Sequence, residues 1–284
     1  MSESRAAALN EERILEFREN GVVVLRGFYD IARDIVPVQE SIYNVIGQVM
    51  ARHAYPDRRR PFSPESFDDG YNALIEKNRS YGGEIYDAVK QIPAFVRLVG
   101  HPAHEKVLGE LRPGSVPGVA GGGFGIRIDN PDEERFRAPW HQEYPAQLRS
   151  VDGLTFWSPL VAMTPELGPV EFCLGSHRDG LVPVHTRDPN HPEKKGAYAL
   201  TLENEESVVG KYRKAAPLAC PGDLIVLDFL VLHCSGRNTG RRSRWSMQFR
   251  YFNFADPTGR RYGWQGSFAS GVDFRTVHPE LCVD

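Results

Sequence analysis

The regular spacing of turn-forming residues between apolar segments, over residues 115–254, constrains the fold of this chain more than any other feature. Short apolar segments alternate there with clusters of Gly, Pro, Asn and Asp, and the candidate strands are GFGIRI, LTFWSPLVAM, PVEFCLG, KAAPLAC, DLIVLD and SMQFRYFNF. Several short runs bounded by turn-forming residues predict a sandwich or barrel of the jelly-roll type. A chain of 284 residues, 41% of them hydrophobic, is long enough to bury such a core.

The first third of the chain is predicted to be mostly helical. Asn10 is placed to cap a helix that ends at Gly21, and the β-branched segment GVVVLRGF then predicts an entry strand. Further helical patterns follow in IARDIVPVQESIYNVIGQVMARH, GEIYDAVKQIPAFVRLVG and PAHEKVLGEL. We therefore expect a single domain over 1–284, mainly β with N-terminal helices. It would consist of a helical region with the entry strand bracing the sheet (1–114), a β core (115–254) and a C-terminal extension (255–284).

Composition excludes several classes of partner. A net charge of -3 argues against a nucleic-acid footprint, and the short basic run DRRRP predicts a solvated loop. The start, MSESRAAALNEER, lacks the apolar core of a secretory signal, and LIVLDFLVLHC is interrupted by Asp228 and too short to span a bilayer. The four cysteines form no Cys-x-x-Cys pair, so reduced thiols in a cytoplasmic protein are the simplest interpretation.

The stretch APWHQEYP places His141 and Glu143 two positions apart. On a strand, residues i and i+2 point to the same face, so the imidazole and the carboxylate would converge and could make half of a metal site. The alternative is a surface strand with two polar residues on its solvent-exposed face. That alternative is the commoner one for an isolated His-x-Glu triplet, so the rest of the chain must decide.

A second candidate ligand stands downstream, in DLIVLDFLVLHCSGRNTGRRSRW. His233 ends an apolar strand, where a lone histidine is more often a hydrogen-bonded core residue than a ligand. Combined with His141 and Glu143, however, it completes two imidazoles and one carboxylate, the facial set that suits non-haem Fe(II) and leaves positions open. Arg244, eleven positions after His233, begins another strand and could grip a carboxylate bidentately.

These motifs, H-x-E followed by H-C-S-G-x-N-x-G-x-x-x-R, resemble the phytanoyl-CoA dioxygenase family of Fe(II)- and 2-oxoglutarate-dependent oxygenases. The segments ENGVVVLRGF and WSPLVAMTPELGPVEFCLGSH extend the resemblance over most of residues 10–254. It implies a double-stranded β-helix core of the cupin-like, jelly-roll type, with Fe(II), 2-oxoglutarate and O2 as cofactor and co-substrates.

The resemblance also implies roles for individual residues. His141, Glu143 and His233 would bind iron and form the catalytic centre, and Arg244 would hold the C5 carboxylate of 2-oxoglutarate with help from Ser235. Trp157 stands where the family tends to place an aromatic residue near the co-substrate, although an ordinary core tryptophan fits it equally well.

The sequence departs from the family at position 143. Most members have aspartate there, and glutamate adds one methylene to the arm of the carboxylate. Other 2-oxoglutarate oxygenases use H-x-E, so iron binding is still expected. Halogenating relatives lack the carboxylate altogether, which leaves room for chloride. Glu143 therefore argues for hydroxylation or a related oxidation, such as desaturation, cyclisation or demethylation.

The substrate itself is not specified by a motif. Arg127, Gln147 and Arg149 could present polar groups to it, although a surface role fits each of them better. If they line the pocket, a small polar or anionic metabolite or a natural-product intermediate fits best. An alternative substrate is a fatty acyl thioester. Alternative functions are a non-catalytic metal-binding jelly-roll sensor and a zinc hydrolase, but neither would need Arg244 to bind 2-oxoglutarate.

The nature of residue 143 generates a test of reaction type. Glu143→Ala should bind chloride or azide at iron detectably, because it opens a coordination position and removes one negative charge from the site. The wild type and the control variant Glu143→Asp, which keeps a carboxylate, should take up far less halide. The measurement is the iron spectrum with 2-oxoglutarate under halide titration. Equal uptake by wild type and Glu143→Ala would mean that Glu143 is not a ligand.

Overall fold

The computed structural model describes residues 9–266 and 272–283, except for the side chain of Tyr198. The prediction that the chain lacks a secretory signal rests on its first 13 residues. Of these, residues 1–8 lie outside the described residues. The α-helices are α1 Glu11–Asn20, α2 Val36–Arg52, α3 Tyr71–Lys77, α4 Arg79–Val89, α5 Pro93–Val99, α6 Pro102–Leu111, α7 Glu143–Gln147, α8 Glu205–Val209, α9 Pro257–Tyr262 and α10 Phe274–Val277. The strands are β1 Val22–Leu25, β2 Pro117–Val119, β3 Gly125–Asp129, β4 Gly153–Pro159, β5 Val170–Cys173, β6 Val184–His185, β7 Thr201–Leu202, β8 Lys214–Ala215, β9 Leu224–Asp228, β10 His233–Ser235 and β11 Arg244–Asn253.

The N-terminal helix forms as predicted. The side chain of Asn10 accepts a hydrogen bond from the amide of Arg13 at 2.9 Å, and the amide of Gly21 donates to the carbonyl of Phe17 at 2.8 Å. The predicted second helix starts with a π-helical turn, Ile31–Ile35, before α2 begins. The predicted helix over GEIYDAVKQIPAFVRLVG is two helices, because the residue before Pro93 takes an extended backbone.

The large sheet is antiparallel, with strand order β1-β9-β4-β11-β2 and β3 paired to the first half of β11. The predicted entry strand is therefore an edge strand of this sheet. Side chains alternate between the two faces of β11. Trp245, Met247, Phe249 and Tyr251 are fully buried, and their face is covered by the helices. The ring centroid of Trp245 lies 4.9 Å from that of Tyr71 in α3.

The small sheet, of strand order β10-β5-β8, is also antiparallel. Phe172 in β5 stands opposite His233 in β10. The architecture is thus a mixture of helices and antiparallel sheets, and helices from the first third pack on one face of the large sheet. Within the described residues, no helix has the length and apolarity needed to cross a bilayer. No disulfide joins the four cysteines in the described part of the chain.

Two local predictions were wrong. His233 was expected to end an apolar strand, but β9 covers most of the predicted strand DLIVLD and ends at Asp228, whose carboxylate accepts the amide of Leu230 at 2.7 Å, and the chain crosses to the small sheet. His233 therefore begins a strand and does not end one. In KAAPLAC only Lys214–Ala215 pairs as a strand. The basic run DRRRP is a largely exposed loop, as predicted, although the Arg59 side chain is buried beside Tyr43.

A close approach between the turn before β5 and the turn after β10 generates a stability prediction. Gly168 has φ +65°, and a Cβ there would lie 2.5 Å from the carbonyl carbon and oxygen of Arg237. Gly168→Ala should lose about 1–3 kcal/mol to backbone strain and a similar amount to the clash. The matched control Gly263→Ala, which also has a left-handed backbone (φ +67°) but open space around its Cβ, should lose only the part due to backbone strain. Urea unfolding measures both, and equal losses would contradict the close approach.

Candidate metal centre and its pocket

Two imidazoles and one carboxylate converge at one point between the two sheets. One potential ligand atom each from His141, Glu143 and His233 lies within 4.8 Å of the others. The backbones of His141 and His233 exchange two hydrogen bonds of 3.0 Å, which brings their rings to a centroid distance of 4.2 Å. A carboxylate oxygen of Glu143 lies 3.7 Å from Nε2 of His233.

The local structure of the His-x-Glu triplet differs from the predicted strand. His141 makes an isolated bridge to His233, but Glu143 is the first residue of α7, where its amide donates to the carbonyl of Phe229 at 2.9 Å. Gln142 points away and its amide group donates to the carbonyls of Gly180 and Leu230. The two side chains therefore converge because the chain turns into a helix after Gln142, and not because of strand alternation.

The two imidazoles are prepared to act as neutral ligands. Burial lowers the pKa of His141 and, with the neighbouring His141 ring, lowers the pKa of His233 to about 3. Nδ1 of each ring lies 2.8–3.0 Å from a backbone carbonyl, that of Pro139 or Val231. A carbonyl can only accept, so Nδ1 carries the proton and the Nε2 lone pair remains available for a metal.

Glu143 is a buried carboxylate held in its ionised form. Burial by itself would raise the pKa of Glu143, but the guanidinium of Arg250 and the two imidazoles together lower it to about 2. Arg250 Nε lies 3.1 Å from Oε1, and the side chain of Gln147 donates to the same oxygen at 3.1 Å. Gln147, predicted at the substrate, thus contacts the candidate ligand itself.

The centre opens into a pocket between the sheets. It is lined by Arg127, Ala138, His141, Glu143, Thr155, Trp157, Val170, Phe172, Leu227, His233, Cys234, Ser235, Gln248 and Arg250. Arg127, Trp157 and Ser235 were predicted near ligands and do line it. Arg149 does not appear in this lining, and its guanidinium donates to the carbonyls of Gly121 and Gln147.

Arg250 was missed as a pocket residue. The signal was present in the strand pattern. Residues 244, 246, 248 and 250 alternate with the aromatic and apolar residues of β11, so a strand assignment places Arg250 on the same face as Arg244.

Arg244 is 1% exposed and is not among the residues that line the pocket. Its guanidinium donates to the Ser235 hydroxyl at 3.1 Å and to the carbonyl of Gly168, and it pairs with the Asp129 carboxylate at 2.8 Å. It therefore contacts a residue of the pocket lining, Ser235, and it already has an anionic partner in Asp129.

The pocket fits a polar anion. The side-chain atoms Thr155 Oγ1, Trp157 Nε1 and Ser246 Oγ are buried and have no hydrogen-bond partner among the described residues. All three belong to the inner face of the large sheet, by their register with Arg250 and Gln248. Buried donors without partners are costly in a folded protein unless a ligand satisfies them. This donor set suits 2-oxoglutarate, and the two imidazoles with one carboxylate suit Fe(II).

Comparison with known proteins places these observations in a family. The family model for phytanoyl-CoA dioxygenase matches residues 17–246. The search of curated proteins found no significant match.

Solved structures with the same fold include three enzymes of low sequence identity. The non-haem α-ketoglutarate-dependent carbocyclase SnoK from nogalamycin biosynthesis is 16% identical, with 89% of this chain and 88% of that chain covered and a TM-score of 0.57. EctD from S. alaskensis with 2-oxoglutarate and 5-hydroxyectoine is 17% identical, covering 89% and 79%, with a TM-score of 0.55. The epimerase SnoN is 16% identical, covering 86% and 82%, with a TM-score of 0.50.

The geometry predicts which histidine substitution removes the metal. His233→Ala should weaken Fe(II) binding by more than about 100-fold, because changes outside the ligand set already cost 10–100-fold. The control is His191→Ala, whose imidazole is 56% exposed and remote from the pocket. Anaerobic equilibrium dialysis measures iron per chain. Unchanged iron stoichiometry in His233→Ala would rule out this centre as the iron site.

Proposed function

Since this chain belongs to the phytanoyl-CoA dioxygenase family, which comprises Fe(II)- and 2-oxoglutarate-dependent oxygenases, we propose that it oxidises a small polar metabolite or natural-product intermediate. Hydroxylation is the simplest outcome, with succinate and CO2 as co-products. The observation that carries the proposal is the convergence of two neutral imidazoles and an ionised carboxylate on a pocket with unsatisfied polar donors.

In the proposed mechanism, His141, Glu143 and His233 would hold Fe(II). Once bound, the iron would supply the oxidising chemistry together with 2-oxoglutarate and O2. Arg250 and Gln147 orient the Glu143 carboxylate, and Arg250 lowers its pKa so that it can serve as an anionic ligand. The carbonyls of Pro139 and Val231 fix the tautomer of each imidazole.

Arg244 and Ser235 bind the distal carboxylate of 2-oxoglutarate in this proposal. Ser235 lines the pocket and its hydroxyl is within hydrogen-bond distance of the guanidinium, so the two side chains offer adjacent donors. The unpartnered donors of Thr155 and Trp157 lie in the lining of the same pocket and can bind oxygen atoms of the co-substrate or of the substrate.

The lining favours a polar substrate over an acyl chain. Arg127 and Arg250 place charged side chains in the lining, each paired with a carboxylate, while Phe172, Leu227 and Val170 provide apolar walls that exclude water. SnoK belongs to nogalamycin biosynthesis and EctD is described with 5-hydroxyectoine, so the fold serves molecules of this kind. A fatty acyl thioester is the second candidate, and it would have to place its chain against these charges.

The core arrangement is part of the same proposal. The pocket takes residues from both the large and the small sheet, which supports two facing antiparallel sheets, as in a double-stranded β-helix. We assign this core to residues 115–254 of a single domain, with β1 added at one edge of the large sheet.

The proposed reaction is tested with a panel of small polar metabolites. The Fe(II)-loaded protein should release succinate from 2-oxoglutarate in a substrate-dependent manner. Substrates with a carboxylate or other polar anchor should be used more efficiently than fatty acyl thioesters. The measurement is succinate and product by mass spectrometry, with His233→Ala as the inactive control. A preference for acyl thioesters would favour the second candidate instead.

The proposed binding of the distal carboxylate of 2-oxoglutarate by Arg244 predicts that Arg244→Ala loses affinity for 2-oxoglutarate. Truncating one partner of a buried charge pair costs about 2–5 kcal/mol, so 2-oxoglutarate should bind about thirty-fold more weakly or worse. Arg244→Lys should rescue only in part, because an ammonium cannot reproduce the planar fork. Arg242→Ala is the matched control, since Arg242 pairs with Asp68 outside the pocket. Unaltered affinity in Arg244→Ala would assign the carboxylate to Arg250 or Arg127.

A further inference from the structure

Asp129 is a largely buried carboxylate that contacts the guanidinium proposed to hold 2-oxoglutarate. It ends β3 and stands directly opposite Arg244, the first residue of β11. Its Oδ2 lies 2.8 Å from Nη2 and 3.2 Å from Nε of Arg244. The side chain of Asp129 is 11% exposed, so this pair is largely removed from water.

The same carboxylate also binds Arg127. Nε of Arg127 donates to both oxygens of Asp129, at 2.8 and 3.0 Å, and Nη2 lies 2.8 Å from Oδ1. Asp129 is thus shared by a guanidinium that faces the metal pocket and by the guanidinium proposed to hold 2-oxoglutarate. The three side chains carry two positive charges and one negative charge.

The donors of Arg244 are largely engaged within the protein. Nε and Nη2 point to Asp129, Nη2 also reaches Ser235, and Nη1 donates to the carbonyl of Gly168. A bidentate grip on a carboxylate uses two parallel N–H groups of one guanidinium edge. The edge formed by Nε and Nη2 is the one that Asp129 occupies.

We propose that Asp129 is a specificity-determining residue that competes with the distal carboxylate of 2-oxoglutarate for Arg244. This inference rests on the proposed function. An incoming carboxylate must share or displace the resident one, and the two like charges repel each other at close range in a site with little water. Asp129 therefore weakens co-substrate binding, and the effect is confined to ligands that carry a distal carboxylate.

The test compares charge removal with charge retention at position 129. Asp129→Asn keeps the shape and a hydrogen-bonding oxygen but removes the charge, whereas Asp129→Glu keeps the charge. Asp132→Asn is the control, because Asp132 is 66% exposed and pairs with Arg237 away from the pocket. Binding of 2-oxoglutarate and of 2-oxobutyrate, which lacks the distal carboxylate, is measured by anaerobic calorimetry on the Fe(II)-loaded proteins.

In Asp129→Asn, 2-oxoglutarate should bind about tenfold more tightly, while 2-oxobutyrate should bind as it does to the wild type. Asp129→Glu should bind 2-oxoglutarate no more tightly than the wild type, and Asp132→Asn should be unchanged. Weaker 2-oxoglutarate binding in Asp129→Asn would show that Asp129 only positions Arg244. That result, or an unchanged affinity, would overturn the inference.

A second readout covers loss of stability in Asp129→Asn, which leaves two buried guanidiniums without their anion. Glutarate has the distal carboxylate but no 2-oxo group, and it should raise the unfolding temperature of the metal-free variant more than that of the wild type. An equal or smaller rise would overturn the inference. Failure of 2-oxoglutarate to bind any of the metal-loaded proteins would overturn the proposed function and this inference together. Binding that depends on Arg244 and ignores Asp129 would overturn the inference alone.

Discussion

The main-chain pairing of His141 with His233 is the contact on which the candidate centre depends. Two backbone hydrogen bonds join the loop before α7 to the start of β10, and no side chain is needed to make them. The crossover from β9 to β10 completes the arrangement, because the carbonyl of Phe229 receives the amides of both Glu143 and Tyr144. Three potential ligands from two distant segments are therefore positioned by backbone geometry, which is stiffer than side-chain packing and suits a metal site that must keep its shape.

Compensation of buried charge is the second organising constraint. A carboxylate removed from water is tolerated only where cations and donors replace its hydration. Glu143 has Arg250 and Gln147, and Asp129 has Arg127 and Arg244. The imidazoles meet the same constraint by remaining neutral. The pocket thus contains alternating charges of both signs, and its electrostatic balance depends on which anions occupy it.

The two faces of β11 divide the molecule between stability and chemistry. Trp245, Phe249 and Tyr251 pack against the helices on one face, whereas Arg244 and Arg250 point toward the small sheet on the other. Strand alternation alone produces this division. It places polar groups that would destabilise an ordinary core on the inner surface, where a ligand can satisfy them.

Local sequence signals were enough to predict α1 with its Asn10 cap, the strands around GFGIRI and SMQFRYFNF, the helical first third and the family. Each depends on neighbours a few residues away or on a motif of set spacing. The sequence also named His141, Glu143, His233 and Arg244 as candidates, and their ligand roles stay predictions. It could not place Asp129 against Arg244 or Arg250 against Glu143, and it wrongly put Glu143 on a strand. Those contacts follow from strand register and from the turn at Asp228, which depend on pairing between segments far apart in the chain and leave no local periodicity to read.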